Sequence, residues 1–147
     1  MIIIPGSKNT IEDMKDLSDK GISEKITRAA KQGTVIFGIC GGFQILGTKI
    51  TDPYNIESNI GEIPGIGLLD IETVMSREKT TTQYTDKLSG TEGILAGGDG
   101  LEISGYEIHQ GISTGSGEII LGTPEDIKGA VRENIIGTYV HGIFDNG

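Results

Sequence analysis

Nucleophilic chemistry in this chain would have to start at its single cysteine, because Cys40 is set among glycines in a pattern that is rarely idle. It lies in Gly33-Thr34-Val35-Ile36-Phe37-Gly38-Ile39-Cys40-Gly41-Gly42-Phe43-Gln44-Ile45-Leu46-Gly47. The β-branched run Thr34 to Ile39 predicts a strand, and the apolar stretch after the glycines predicts a helix, with Cys40 at the apex of the turn between them. Gly38-x-Cys40-x-Gly42 has the form of the nucleophile elbow G-x-S-x-G with sulfur replacing the hydroxyl. A nucleophile on so sharp a turn needs neighbours without a Cβ. The free amides and dipole at the start of the helix predict a lowered thiol pKa. Gly42-x-x-x-x-Gly47-Thr48-Lys49 comes close to a phosphate loop but reverses its last two residues, so the lysine is misplaced for phosphates and nucleotide binding is not expected. A buried structural cysteine is the other reading that the local sequence leaves open.

Two histidines could serve as base. His141 ends the apolar run Ile135-Ile136-Gly137-Thr138-Tyr139-Val140 and precedes Gly142, the same kind of position that Cys40 occupies on its own strand. His109 lies inside or just beyond a strand, Gly105-Tyr106-Glu107-Ile108-His109-Gln110-Gly111, where the period of two puts Glu107 and His109 on one face. Position favours His141. A metal site is not expected, since these three soft ligands show no metal-ligand spacing.

The elements that must position these residues follow an α/β order. Ile2-Ile3-Ile4, stopped by Pro5-Gly6, reads as a fully buried parallel strand, a kind rarely found at a sheet edge. Asn9 or Thr10, with Glu12 or Asp13 three residues on, caps a helix that stops near Gly21, and a second helix runs from Ser23 to Gln32. Strand, helices, strand and helix make a doubly wound sheet, whose sites form at the carboxyl ends of strands; Gly6 and Cys40 both sit there. Beyond Gly47 come a turn at Asp52-Pro53-Tyr54-Asn55, a loop from Gly61 to Gly67 and a strand from Leu68 to Val74. Ser76 to Ser89 is polar, an edge strand or surface loop without evident chemistry. Strands are expected at Leu101 to Ile108, Glu118 to Leu121, Gly129 to Arg132 and Ile135 to Val140.

With 147 residues the chain fits one domain, 1–147, able to bury a core without disulfides. One cysteine, no signal sequence and no bilayer-length apolar run predict a soluble, cytoplasmic protein. The net charge of -9 argues against nucleic acid and anionic membranes as partners. Its 24 glycines predict frequent tight turns rather than a helical bundle.

Five ordered blocks carry a resemblance. Pro5-Gly6-Ser7-Lys8-Asn9-Thr10, Gly38 to Gly47, Asp52-Pro53 with Ile56-Glu57, Gly105 to Gly111, and Gly137-Thr138-Tyr139-Val140-His141-Gly142-Ile143-Phe144-Asp145-Asn146 resemble the glutamine amidotransferase domain of the cobyric acid synthase family. The resemblance implies the three-layer, mostly parallel, flavodoxin-like α/β fold of class I glutamine amidotransferases. It also implies Cys40 as nucleophile of glutamine hydrolysis and His141 as its catalytic histidine. Backbone amides of Gly41 and of Gly6 or Ser7 could stabilise the oxyanion, and Gln44 could face the substrate. The partners implied are glutamine and a synthetase domain or subunit that uses the ammonia to amidate corrin carboxylates. No cofactor is expected in this domain; ATP and magnesium would belong to the synthetase part. A cobyrinate a,c-diamide or cell-wall amidation, and an inactive scaffold, are the alternatives.

Two departures accompany the resemblance. Triad-type relatives place a Glu two residues after the histidine, where this chain has Ile143, so an orienting carboxylate must come from elsewhere; Glu107 and Asp145 are the candidates. The family's synthetase domain and the outer elements of the amidotransferase domain have no counterpart here, so the chain reads as truncated at both ends or as one partner of a split enzyme.

Overall fold

The computed structural model describes residues 1–116 and 118–143. Asn9 caps α1 (Thr10–Asp19), its side chain accepting the Glu12 amide at 3.2 Å. Gly21, at φ 70°, turns the chain into α2 (Ile22–Lys31), which buries Ile26 and Ala30. The short helix α3 (Gly41–Leu46) follows Cys40 and is buried along its whole length.

Among the described residues, ten strands form two sheets. The first holds β1 (Ile2–Ile4), β2 (Ile36–Ile39), β7 (Ile119–Thr123), β8 (Asp126–Arg132) and β9 (Ile135–Thr138), in the order β1-β2-β9-β8-β7. The second holds β3 (Lys49–Thr51), β4 (Glu62–Pro64), β5 (Ile71–Lys87), β6 (Glu102–Gly115) and β10 (Val140–His141), in the order β10-β6-β5-β3-β4. The α/β class holds, with parallel pairing confined to β1-β2, β2-β9 and β3-β5; the remaining pairs are antiparallel. Helix α3 packs on β1, β2 and β9 of the first sheet and on β3 and β5 of the second, so the elbow sits where the sheets meet.

Two expectations need correction, and one pair of alternatives is resolved. The strand β1 is the edge of its sheet, and Ile3 is 52% exposed. A run of isoleucines records apolar surroundings but not how many strands lie beyond it. The polar stretch 76–89, expected as an edge strand or a surface loop, is an edge strand for most of its length. It is the outer part of β5, which loses register between Val74 and Lys79 and from Lys79 onward pairs with β6 alone, β3 having ended opposite Val74. The run 135–140 is not one strand either. It breaks at Tyr139, where Thr138 Oγ1 donates to the Lys128 carbonyl at 2.8 Å and accepts the Val140 amide at 3.1 Å. That hydroxyl redirects the chain from the first sheet into the second.

Sterics leave little choice at the elbow. A Cβ on Gly42 would come within 1.9 Å of the Ile4 carbonyl oxygen, and one on Gly38 within 2.6 Å of the Gly42 oxygen and Leu46 Cδ1. Gly137 lies under the Phe43 ring, which a Cβ would meet at 2.1 Å. Gly42→Ala should therefore cost about 3 kcal/mol, the upper range for overpacking a rigid site, because the obstruction is backbone on both sides. Chemical denaturation monitored by circular dichroism measures it; a loss below about 1 kcal/mol would contradict this packing.

Candidate active site

Cys40 has φ 54° and ψ -109°, a conformation that L residues seldom adopt and that persists only where the surroundings enforce it. The enforcement is visible. Its amide donates to the Thr138 carbonyl at 2.8 Å, and its thiol donates to the Ile108 carbonyl at 3.3 Å. Gly41 packs so closely on Ser7 that a Cβ there would lie 2.9 Å from the Ser7 nitrogen.

The thiol is buried, and burial pushes its pKa up; the Gly41 amide acts in the opposite sense and the Glu57 carboxylate adds to the rise. The expected lowered pKa is thus corrected. Helix α3 is only six residues long, so its dipole is small against the loss of solvent. At rest the sulfur is a protonated thiol held by a backbone carbonyl.

A cleft passes Cys40 on two sides. One limb, about 380 Å³, is lined by Gly6, Ser7, Lys8, Cys40, Tyr106, Ile108 and His141. The other, about 410 Å³, shares Ser7, Lys8, Cys40 and Ile108 and adds Thr10, Gly41, Gln44, Glu57, Lys79, His109 and Gln110. Cys40 therefore lines both limbs, with His141 on one and His109 on the other. A cavity of about 440 Å³ between α1, α2 and β4 contains none of them.

His141 stands beside Cys40. A Cβ built on Gly6 would lie 3.7 Å from both Cys40 Cβ and His141 Cε1, so those two atoms are at most twice that distance apart. The imidazole stacks on Tyr106, its cross-strand partner, with ring centroids 5.3 Å apart and planes at 13°. Among the described residues no carboxylate lies within ion-pair distance of it. Among the described residues, stacking on Tyr106 is what holds the ring. Glu107 pairs with Val140 in the register, one residue from the His141 pair, which sends its side chain to the opposite face. Asp145 lies outside the described residues.

On that opposite face Glu107 meets His109, as the period of two predicts, at 3.3 Å from Nε2; Lys128 Nζ donates to the same oxygen at 3.1 Å. Burial alone would raise the Glu107 pKa, but the His109 and Lys128 bonds outweigh it and hold the carboxyl below its usual range. Its Oε1 is buried without a partner. His109 Nδ1 bonds the Gly111 carbonyl at 3.1 Å, and its ring stacks on Tyr139 at 3.7 Å. Both nitrogens of His109 are engaged, which leaves it poorly placed to take a proton from Cys40. Among the described residues His141 has no such hydrogen bonds.

Gln44 is 2% exposed, not solvent-facing. Its Nε2 donates to the Gln110 carbonyl and the Tyr139 hydroxyl, both at 3.0 Å, leaving the carboxamide oxygen as the group it can turn to a ligand. The Tyr139 hydroxyl is also 2.5 Å from Ser113 Oγ, and burial pushes its pKa up to about 12. It therefore stays a phenol. Ser7 Oγ donates to Asp13 and accepts the Asn9 amide, which fixes the loop after β1.

The Asp52 block proves structural. Its buried carboxylate accepts the amides of Ile56, Glu57 and Ser58, at 2.8, 2.8 and 3.1 Å, and so delivers Glu57 to the cleft, where Glu57 Oε2 accepts the Thr10 amide at 2.7 Å. Glu57, Lys8 and Lys79 were not foreseen as cleft residues, and Lys79 comes from the stretch read as lacking chemistry. The only hint was Asp52 beside a proline, a turn former whose carboxylate faces the next free amides.

Among the described residues no group of three or more His, Cys, Asp or Glu could hold a metal. The stretch reminiscent of a phosphate loop forms buried α3, and its Lys49 pairs with Glu62 at 3.8 Å, so it offers no phosphate cradle. Among the described residues no helix is long and apolar enough to cross a membrane.

Comparison with known proteins places these observations in a family context. A family model described as the CobB/CobQ-like glutamine amidotransferase domain matches residues 1–147. Cobyric acid synthase of Dehalococcoides mccartyi is 44% identical over 156 residues, covering 99% of this chain and 31% of that protein. The cobyric acid synthase of Alkaliphilus metalliredigens is 47% identical over 159 residues, with 99% and 31% covered. The chain thus spans about a third of the length of the curated relatives it matches. A glutamine amidotransferase crystal structure superposes with a TM-score of 0.64 at 16% identity, covering 95% of this chain and 68% of that one, a likeness of fold alone.

The raised thiol pKa has a direct readout. Alkylation of Cys40 by iodoacetamide should be slow at neutral pH and should climb with pH to a midpoint above that of a free cysteine, about 8.5. Stopped-rate mass spectrometry across pH measures it, and a midpoint near 7 would show a thiolate instead.

Proposed function

The chain belongs to the CobB/CobQ-like glutamine amidotransferase family, and we propose that it hydrolyses glutamine at Cys40 with His141 as acid and base. The shared cleft of these two side chains, a hundred residues apart in sequence, is the observation that supports this most. In the reading proposed, His141 takes the thiol proton as sulfur attacks the side-chain amide carbon of glutamine. The carbonyl oxygen becomes an oxyanion within reach of the Gly41 amide and the apposed Gly6–Ser7 backbone. His141 returns the proton to the leaving nitrogen, and the C–N bond breaks to release ammonia and a γ-glutamyl thioester. Water, deprotonated by His141, attacks that thioester; glutamate leaves and the thiol is restored.

The ammonia then serves an ATP-dependent synthetase, in the likeness of the cobyric acid synthases, for amidation of corrin carboxylates. In this reading ATP and magnesium belong to that synthetase part. The unpaired Cys40 suits a reducing cytoplasm. Because the resting thiol is protonated, turnover needs His141, and the protein should be slow until its partner orders the cleft.

Glutamate release from glutamine tests the assignment. Cys40→Ala should fall to background, and His141→Ala should lose about 10²- to 10⁴-fold, the usual worth of a positioned acid or base. Unchanged rates in both variants would remove this function, whereas an effect of His109→Gln with none from His141→Ala would transfer the base to His109.

A further inference from the structure

We propose that His109 is a buried imidazolium that positions the nucleophile: donating from both ring nitrogens, it holds the stretch of β6 whose carbonyls bind the Cys40 thiol and the Gln44 carboxamide. This rests on the reading in which Cys40 is the nucleophile. The two carbonyls belong to Ile108 and Gln110, on either side of His109; the first accepts the thiol at 3.3 Å and the second accepts Gln44 Nε2 at 3.0 Å. Strand pairing gives this stretch little support. The β5 register jumps from Lys79 opposite Gln110 to Val74 opposite Ile112, so Gly111 falls at the break. At φ 99° Gly111 also departs from extended geometry. The His109 ring spans the break, with Nδ1 3.1 Å from the Gly111 carbonyl oxygen.

Acceptors face the ring on both sides. A carbonyl oxygen can only accept, and so can an ionised carboxylate, so Nδ1 against Gly111 and Nε2 against Glu107 at 3.3 Å must both donate. Only the doubly protonated ring can do so. Glu107 is ionised: burial opposes its charge, but the His109 and Lys128 bonds outweigh burial and keep its carboxyl below the usual range. A proton on its other oxygen, Oε1, would find no acceptor among the described residues. Charge balance agrees. Lys128 bridges Glu107 and Asp126, each at 3.1 Å, so a charged His109 gives the cluster two cations and two carboxylates, whereas a neutral ring would leave a negative charge in excess. The Tyr139 ring lies against the imidazole, with centroids 3.7 Å apart and planes at 15°, and its π face favours a cation. The Tyr139 phenol stays protonated, and the ionisable groups that share the cleft limb, Cys40, Glu57, Lys8 and Lys79, bond to neither ring nitrogen. Buried ion pairs add little net stability, so what this cluster contributes is one fixed arrangement of the backbone.

Side-chain nitrogen NMR of the histidines reads the charge, and loss of signals in His109→Gln identifies those of His109. At neutral pH both of its ring nitrogens should carry protons in the unaltered protein, and one should lose its proton in Glu107→Gln. A neutral His109 ring in the unaltered protein would overturn the proposal and leave the nucleophile reading standing. Two reagents that attack Cys40 read the positioning. 6-Diazo-5-oxo-L-norleucine, a glutamine analogue, needs the sulfur placed for attack; iodoacetamide needs only its exposure. In His109→Gln and Glu107→Gln, shown to be folded by circular dichroism, labelling by the norleucine reagent should slow about tenfold or more, as for a lost charged hydrogen bond. Alkylation by iodoacetamide should keep its rate or quicken. Unchanged norleucine labelling would show a merely structural cluster and overturn the positioning role. Equal slowing of both reagents would also overturn it, by showing general damage to the cleft. If these variants do not fold, Lys128→Met, at the rim of the cluster with 15% of its side chain exposed, takes their place with the same expected rates. Absence of the norleucine adduct on Cys40 in the unaltered protein would overturn the nucleophile reading and the positioning role with it, whatever the charge on His109.

Discussion

The strained turn at Cys40 is the constraint on which the rest of the molecule depends. A residue with a side chain held at φ 54° and ψ -109° would relax unless several segments opposed it. Here the β1 carbonyl of Ile4 presses on Gly42, the loop after β1 presses on Gly41, and the Thr138 carbonyl takes the Cys40 amide. Each contact requires a glycine or a backbone group. Strand β1, though an edge, is therefore indispensable, because it both walls the elbow and leads into the Gly6–Ser7 backbone.

Bringing an imidazole to that turn requires the chain to change sheets. The Thr138 hydroxyl and buried Tyr139 make the change, and Gly105 admits the result: a Cβ there would lie 2.1 Å from the His141 carbonyl. A buried polar chain from Lys128 through Glu107 to His109, stacked on Tyr139, stiffens β6 on the face opposite Tyr106 and Ile108. Since Glu107 and His109 flank Ile108, that stiffening also sets the carbonyl which receives the resting thiol. The network thus acts through position, and His141, the less committed histidine among the described residues, is the one proposed for proton transfer.

Some of this was legible in the residues. Glycine spacing around Cys40 revealed the elbow because only glycine survives those contacts, and the strand-end position of His141 singled out the histidine that stands beside Cys40. The Glu107–His109 pair followed from the period of two. Other features were hidden for physical reasons. The apolar run from Ile135 to Val140 looks continuous because its switch depends on a threonine hydroxyl meeting a carbonyl ten residues earlier. The thiol pKa was misjudged because burial, a tertiary property, outweighs a helix of six residues. Lys79 was passed over because a charged residue in a polar stretch looks like solvated surface until the register break turns it to the cleft.

The structure of the protein with a norleucine-derived adduct on Cys40 would test the central claim most directly. The account predicts the His141 ring within hydrogen-bonding reach of the adduct's reacting centre, with the adduct oxygen between the Gly41 amide and the Gly6–Ser7 backbone. An adduct that touches His109 and lies out of reach of His141, or one whose oxygen points away from both backbone segments, would contradict it.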